Sequence, residues 1–349
     1  MIDVGYKKNI KKKYCILSSV IALTIFLAYS FTTIGMDVPY NQTLNAIYLY
    51  FSGKLSMAPD AVNNKIILLL RIPRIILSIL AGIGLAVSGA IMQSLTRNYL
   101  VSPFTLGISS AAAFGASMCI VFATGALFQS ELAIISCAFI SSCCCGLLVY
   151  GISHRLGVRP GTVVLVGIAL NYLFSAMTAT IEFFAKEHKL ESVIQWTFGS
   201  FNRATWDNVI IAMIVVIICL VFVSYYSLKL NAMAVNDDET VRSLGVNPEK
   251  IRTIGGLVSV FLTATIISFT GVIGFVGLIA PHMSRFIIGN DYRFYMPFTA
   301  TLGALLLLVS DTVGKLILYP VNIPVGIIVS FLGVPLFVHL IISRGKNVE

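Results

Sequence analysis

Apolar residues in this chain gather into long unbroken runs, without the three-and-four spacing that marks a helix with one wet face. The runs cover residues 15–33, 75–92, 104–123, 132–152, 161–181, 209–228, 254–270, 272–288, 295–313 and 323–342. A helix needs roughly 20 such residues to cross about 30 Å of hydrocarbon. The pattern predicts an all-α polytopic membrane protein of about ten spans. Both termini lie on the cytoplasmic side, and residues 1–349 form a single bundle in lipid. The stretch 254–284 is uncharged for 31 residues, awkward between one span and two. Gly271, Gly274 and Gly277 interrupt it, as where a helix breaks. With two spans, Arg285, Arg293, Arg344 and Lys346 stay inside. On that reading 16 of the 24 Lys and Arg are cytoplasmic, in agreement with the positive-inside rule.

One polar island breaks the pattern in the second half of the chain, at about 230–252. From Lys229 to Arg252 it holds eight of the chain's 39 charged residues, too many for hydrocarbon. It also carries helix signals. Asn236 or Asp237 is an N-cap candidate, acidic residues follow, and Arg242 stands near the end, as the helix dipole favours. Gly245 is a natural stop. Asn247-Pro248-Glu249 reads as the start of a second short helix. Two short helices folded on the inner face are expected, as a solvated loop or as a docking surface.

Composition agrees: 57% of residues are hydrophobic, 11% are charged and the mean hydropathy is +0.91, whereas soluble domains carry about a quarter charged residues. The net charge of +9 is not a nucleic-acid footprint. Lys7, Lys8, Lys11, Lys12 and Lys13 all precede the first run, where they set orientation. No cleavage site follows that run, so it is kept as a span. The seven cysteines have no C-x-x-C spacing. The consecutive Cys143, Cys144 and Cys145 point about 100° apart on a helix and cannot chelate one ion. They are read as small apolar fillers. No phosphate loop and no H-E-x-x-H occurs, and Gly107-Ile108-Ser109 lacks the final glycine of a nucleophile elbow. The chain is not expected to be an enzyme or to bind a cofactor or metal.

Charges beside the spans are costly and therefore informative. Arg71 and Arg74 flank Ile72-Pro73 at the outer mouth of the second run. Asp311 and Lys315 form an i,i+4 pair at the outer end of the ninth. Snorkelling is one reading of the arginines; an acidic partner protein docking on three basic groups is the favoured one. The second and third runs are crowded with small residues, from Gly82 to Ala90 and from Gly107 to Ala116. These permit close helix packing, or line a narrow passage. The outer segments 35–64 and 185–207 are too short to capture a solute, so a separate capture protein is expected.

Taken together these stretches resemble the permease subunit of the ABC importers for ferric siderophores and vitamin B12, the FecCD type. The resemblance rests on Arg71-Ile-Pro-Arg74; Gly82 to Gln93 with Arg97-Asn98-Tyr99-Leu100; Leu106-Gly107-Ile-Ser109; Trp196-Thr-Phe-Gly199-Ser200; Ser243-Leu244-Gly245-Val246; Gly271 to Arg285; Asp311; Pro324-Val-Gly326; and Gly333-Val-Pro335-Leu-Phe337. It implies ten helices per subunit and two permease subunits, homologous or identical, around a central pathway. The segment 231–252 would sit in a cleft of an ATPase subunit, with Asn236, Asp237, Asp238, Glu239, Arg242, Leu244 and Gly245 making the coupling contact. Arg71, Arg74 and Lys315 would form the outer pocket for the binding protein, with Lys where the vitamin B12 permease has Arg. Asn98, Leu100, Pro160 and Gly161 would form the inner gate, with Asn98-Tyr99-Leu100 in place of the usual Asn-Pro-Leu.

The expected function is passage of a ferric-siderophore chelate into the cytoplasm. Two partner ATPase subunits using ATP and Mg would drive it, and a binding lipoprotein would feed it. Cobalamin or haem are the alternative cargoes. An ion-coupled secondary transporter is the rival mechanism, one that needs carboxylates at mid-membrane.

Overall fold

The computed structural model describes residues 2–34, 41–52, 61–123, 130–235, 237–318 and 321–345. Among these the structure is helical throughout, without strands. The helices are α1 (Ile2–Phe31), α2 (Gln42–Phe51), α3 (Ala61–Ile66), α4 (Ile72–Thr96), α5 (Ile108–Phe122), α6 (Glu131–Leu156), α7 (Pro160–Phe184), α8 (Glu187–Thr197), α9 (Trp206–Val235), α10 (Asp238–Ser243), α11 (Pro248–Thr270), α12 (Val276–Ile288), α13 (Tyr292–Leu316) and α14 (Val325–Gly345). A π-helical turn, Ile67–Arg71, joins α3 to α4. Seven helices are long and apolar enough to span, and Ile108–Phe122, Val276–Ile288 and Val325–Pro335 are shorter apolar helices. Each apolar run of the sequence corresponds to one of these ten.

The bundle is built around α4. Its apolar window is 83% buried, against 6% for α1 at the periphery. Helices α13, α11, α9 and α12 surround α4, while α5, α6 and α7 pack as a second group. Small residues make the close approach possible. A Cβ on Gly82 would overlap the backbone of Gly303 in α13, and one on Gly89 would overlap the backbone of Gly277 in α12. The glycine-rich second run is thus used for packing inside this chain, one of the two uses its composition allows.

The uncharged stretch 254–284 does break in two. Helix α11 stops at Gly271 (φ 73°), and the chain runs unwound to Phe275 (φ 63°) before α12 begins. Non-helical backbone at membrane depth needs protein around it. Here Ser200 donates its N–H to the Thr270 carbonyl at 2.7 Å, and Gly326 of α14 packs on the carbonyls of Phe198 and Val272.

Two expectations change. The second short helix at Asn247-Pro248-Glu249 is not separate: it forms the first turns of α11, which continues for 23 residues. Asn247 caps it, its side chain accepting from the Lys250 N–H at 3.0 Å. Gly255 and Gly256 lie within it but are buried against Leu95 and Tyr150, so packing carries the helix through them to Gly271. The segment 185–207 also holds a helix the runs do not reveal, α8, whose Trp196 and Val193 are buried.

Candidate functional site

Two clusters of charge stand at opposite ends of α4, and each centres on one carboxylate. At the C-terminal end of α4 this is Asp238. Asp237 has extended backbone (φ −68°, ψ 168°), and its side chain accepts from the Thr240 N–H at 3.2 Å, capping α10. Hydrogen bonding from the Thr240 side chain, and then from its N–H, holds the exposed Asp237 carboxyl below its ordinary pKa. The helix ends at Leu244. Gly245 (φ 77°) donates to the Arg242 carbonyl at 2.9 Å, and Val246 donates to the Val241 carbonyl at 3.2 Å. This is the paired bonding of a glycine-stopped helix. Val241 is buried and Val246 packs on the same core.

A six-residue helix does not persist alone, and Asp238 supplies its mount. Its carboxylate accepts from Arg97 at 2.5 Å and from Arg252 at 3.0 Å. Arg97 is the left-handed C-cap residue of α4 (φ 50°) and also donates to the Met233 carbonyl at 3.0 Å. Arg252 is 0% exposed. It donates to the Leu95 carbonyl at 2.9 Å and to the Val158 carbonyl. One guanidinium thus joins α10, α11, the end of α4 and the α6–α7 turn. Burial raises the Asp238 carboxyl, but the hydrogen bonds from Arg252 and Arg97 outweigh it and hold the pKa below the ordinary value.

The sequence reading grouped these acids on one surface; the structure divides them. Asp238 turns inward, while Asp237, Glu239, Arg242, Leu244 and Gly245 face outward, with Leu244 60% exposed. Arg242 pairs with Glu249 at 2.9 Å on that outer face. Asn236 lies outside the described residues.

The residues expected at the inner gate sit nearby. The Asn98 side chain accepts from the Leu100 N–H at 2.9 Å, and Leu100 is exposed. Pro160 opens α7, and Gly161 has open space where a Cβ would stand. The two turns meet beneath these residues, where Val101, Val158 and Val163 share one buried cluster. Tyr99, at the usual proline position, lies with its ring 4.3 Å from the Arg285 guanidinium. Arg285 in turn donates to Gln93 at 2.6 Å and lies 4.9 Å from the Tyr295 ring. Sequence reasoning missed Arg252 as a mount and Tyr99 as an anchor. The signal available for Arg252 was a cation directly abutting an apolar run.

At the N-terminal end of α4, the end expected to face outward, the carboxylate is Asp311. The sequence paired it with Lys315, and that bond is present at 3.0 Å. The structure adds Arg74, which binds both carboxylate oxygens at 2.7–3.2 Å and also donates to Asn202. Arg71 donates to the carbonyls of Thr32 (3.0 Å) and Ile34 (2.7 Å), closing the end of α1. Arg71, Arg74 and Lys315 line one cavity of about 480 Å³. Asn202 and Asn322 are shared with a neighbouring cavity of about 620 Å³ that also holds Arg203, Ser192 and Gln195. A third cavity, about 620 Å³ and apolar, is walled by Phe104, Phe198, Phe275 and Phe331 at the α11–α12 break. Asp311 is occupied by two cations, which leaves it poorly suited to bind and release a coupling ion.

An ABC transporter permease protein of Methanocaldococcus jannaschii is 39% identical over 99% of both chains. The Fe(3+)-citrate import permease of Bacillus subtilis is 31% identical over 95% of both. Further relatives are named for hydroxamate and hemin transport. The solved inward-facing structure of a metal-chelate type ABC transporter superposes with a TM-score of 0.81 at 28% identity, covering 94% of this chain and 99% of that one. Residues 20–343 match the FecCD transport family, and the chain, a multi-pass permease of the cytoplasmic membrane, belongs to it.

Proposed function

We propose that this permease passes a ferric-siderophore chelate inward, pushed from below by partner ATPase subunits and fed from above by a binding protein. The observation that carries the reading is α10. It is a short helix presenting Glu239, Arg242 and an exposed Leu244 from a mount that reaches four other elements. A load applied there is delivered to the ends of α4 and α11 and to the α6–α7 turn beside Pro160 and Gly161. Rigid-body tilting of the bundle, biased by a partner, follows. ATP and Mg act in that partner; this chain holds neither. A second permease chain, homologous or identical, completes the passage. Arg71, Arg74 and Lys315 receive acidic residues of the binding protein.

The test is co-purification and uptake. Arg242→Glu with Leu244→Asp leaves the permease folded, removes bound ATPase and stops ATP-driven uptake of a ferric chelate in vesicles. Retained ATPase in that variant rejects the coupling role. Haem is a second reading with one observation in its favour: the phenylalanine-walled cavity suits a flat aromatic cargo.

A further inference from the structure

Outside these clusters a cavity of about 360 Å³ lies where the basic end of α1 crosses the α12–α13 turn. Lys12 and Lys13 stand on its wall, with Ile16, Ile287 and Phe294 forming the apolar part. Lys13 lies 5.3 Å from the centre of the Phe294 ring. Among the described residues Asp291 is the one carboxylate on this wall; Arg293 binds it at 3.2 Å, and the charge of Lys13 also acts on it. The remaining balance is positive.

The place matters as much as the charge. The apolar run of α1 starts at Cys15, directly after Lys13 and the exposed Tyr14. Aromatic and basic residues at the start of such a run mark the membrane–water boundary. Helix α1 packs on α13 through Ile10, Ile16, Leu17 and Val20, and its window is otherwise bare. A ligand here therefore has cations at headgroup depth and an unclothed helix running away from them into hydrocarbon. A soluble anion would use only the lysines; an acyl phosphate ester uses both features.

We propose that this crevice is a binding site for an anionic phospholipid. Its phosphate oxygens accept from the ammonium groups of Lys12 and Lys13, and an acyl chain lies along α1 past Ile16. The lipid clamps the peripheral α1 to the turn between α12 and α13. Basic pockets between helices at the membrane surface hold such headgroups elsewhere.

The experiment uses the full chain in neutral detergent, with phosphatidylglycerol, phosphatidylcholine or inorganic phosphate added. Readouts are the thermal unfolding midpoint and the number of lipids retained in native mass spectrometry. Phosphatidylglycerol raises the midpoint by about 3 °C or more, while phosphatidylcholine and phosphate do not. Lys12→Gln with Lys13→Gln removes at least half of that rise and one retained phosphatidylglycerol. Lys12→Arg with Lys13→Arg keeps both, and Lys65→Gln, at the opposite end of the molecule, changes neither. An equal rise with phosphatidylcholine, the same rise with phosphate alone, or an undiminished rise in the glutamine variant overturns the proposal. If that variant does not fold, retention of phosphatidylglycerol over phosphatidylcholine by the unaltered chain decides.

Discussion

Asp311 and Asp238 are the same device at opposite ends of α4, and they differ in what they hold. Each carboxylate is gripped by two cations, one of them an arginine of the α4 region: Arg74 at its start and Arg97 at its end. Asp311 ties together two long helices that already pack closely through Gly82 and Gly303. Asp238 holds a six-residue helix with little else to keep it in place. The outer cluster also has a third cation, Arg71, on the same cavity. At the inner cluster the carboxylate turns inward and the outward face of α10 is mixed in charge. On the proposed reading one end receives an acidic surface and the other transmits a push.

The contrast is broken most severely at Arg252. Arg252→Ala leaves Asp238 half-paired and strands the Leu95 and Val158 carbonyls. It should cost about 3–5 kcal/mol, read as a lowered unfolding midpoint in detergent. Arg97→Ala, at a partly exposed site, costs clearly less; equal losses would deny the buried guanidinium its special part. Asp311→Asn comes next, at about 3 kcal/mol, because it leaves Arg74 and Lys315 facing each other. Here ATPase co-purification survives, and its loss would mean the two ends are not separable.

Acidification sharpens the comparison further. The Asp238 pKa is lowered in the folded protein. Its contribution is therefore complete above the unfolded value of about 4 and fades as pH falls through the still lower folded one. The protection of the α10 amides against hydrogen exchange, taken relative to the intrinsic rate at each pH, should be steady from neutral pH down to about 5 and should fall only below that unfolded value. Arg97→Gln moves the onset upward. Tyr99→Ala, which frees the turn before α5 from Arg285, costs about 1 kcal/mol, and Tyr99→Phe costs little. Smallest of all, Leu244→Ala shifts stability by less than about 0.5 kcal/mol yet weakens ATPase capture. A large stability loss there would place Leu244 in the core instead of on the contact face.

Much of this was readable in the chain because lipid enforces a simple rule: each crossing needs an unbroken apolar helix with its backbone bonds satisfied internally. The ten runs, the break at Gly271 and the Asp237 cap obey local rules and are found where those rules put them. Helix α8 escaped because its face is mixed and its burial depends on Trp196 finding the unwound segment after α11. The polar island looked uniform because Asp237, Asp238 and Glu239 are chemically alike.

By itself the sequence determined the membrane class, the family and the spans, and it narrowed the cap of α10 to Asn236 or Asp237. Only the tertiary structure decided that Asp238 turns inward, that Arg74 reaches Asp311 across 237 positions, and that α4 is the centre while α1 is the rim. The reason is physical. Crossing a bilayer is a demand each segment meets on its own, whereas the partner of a buried charge is whichever opposite group the packing of distant helices brings within about 3 Å.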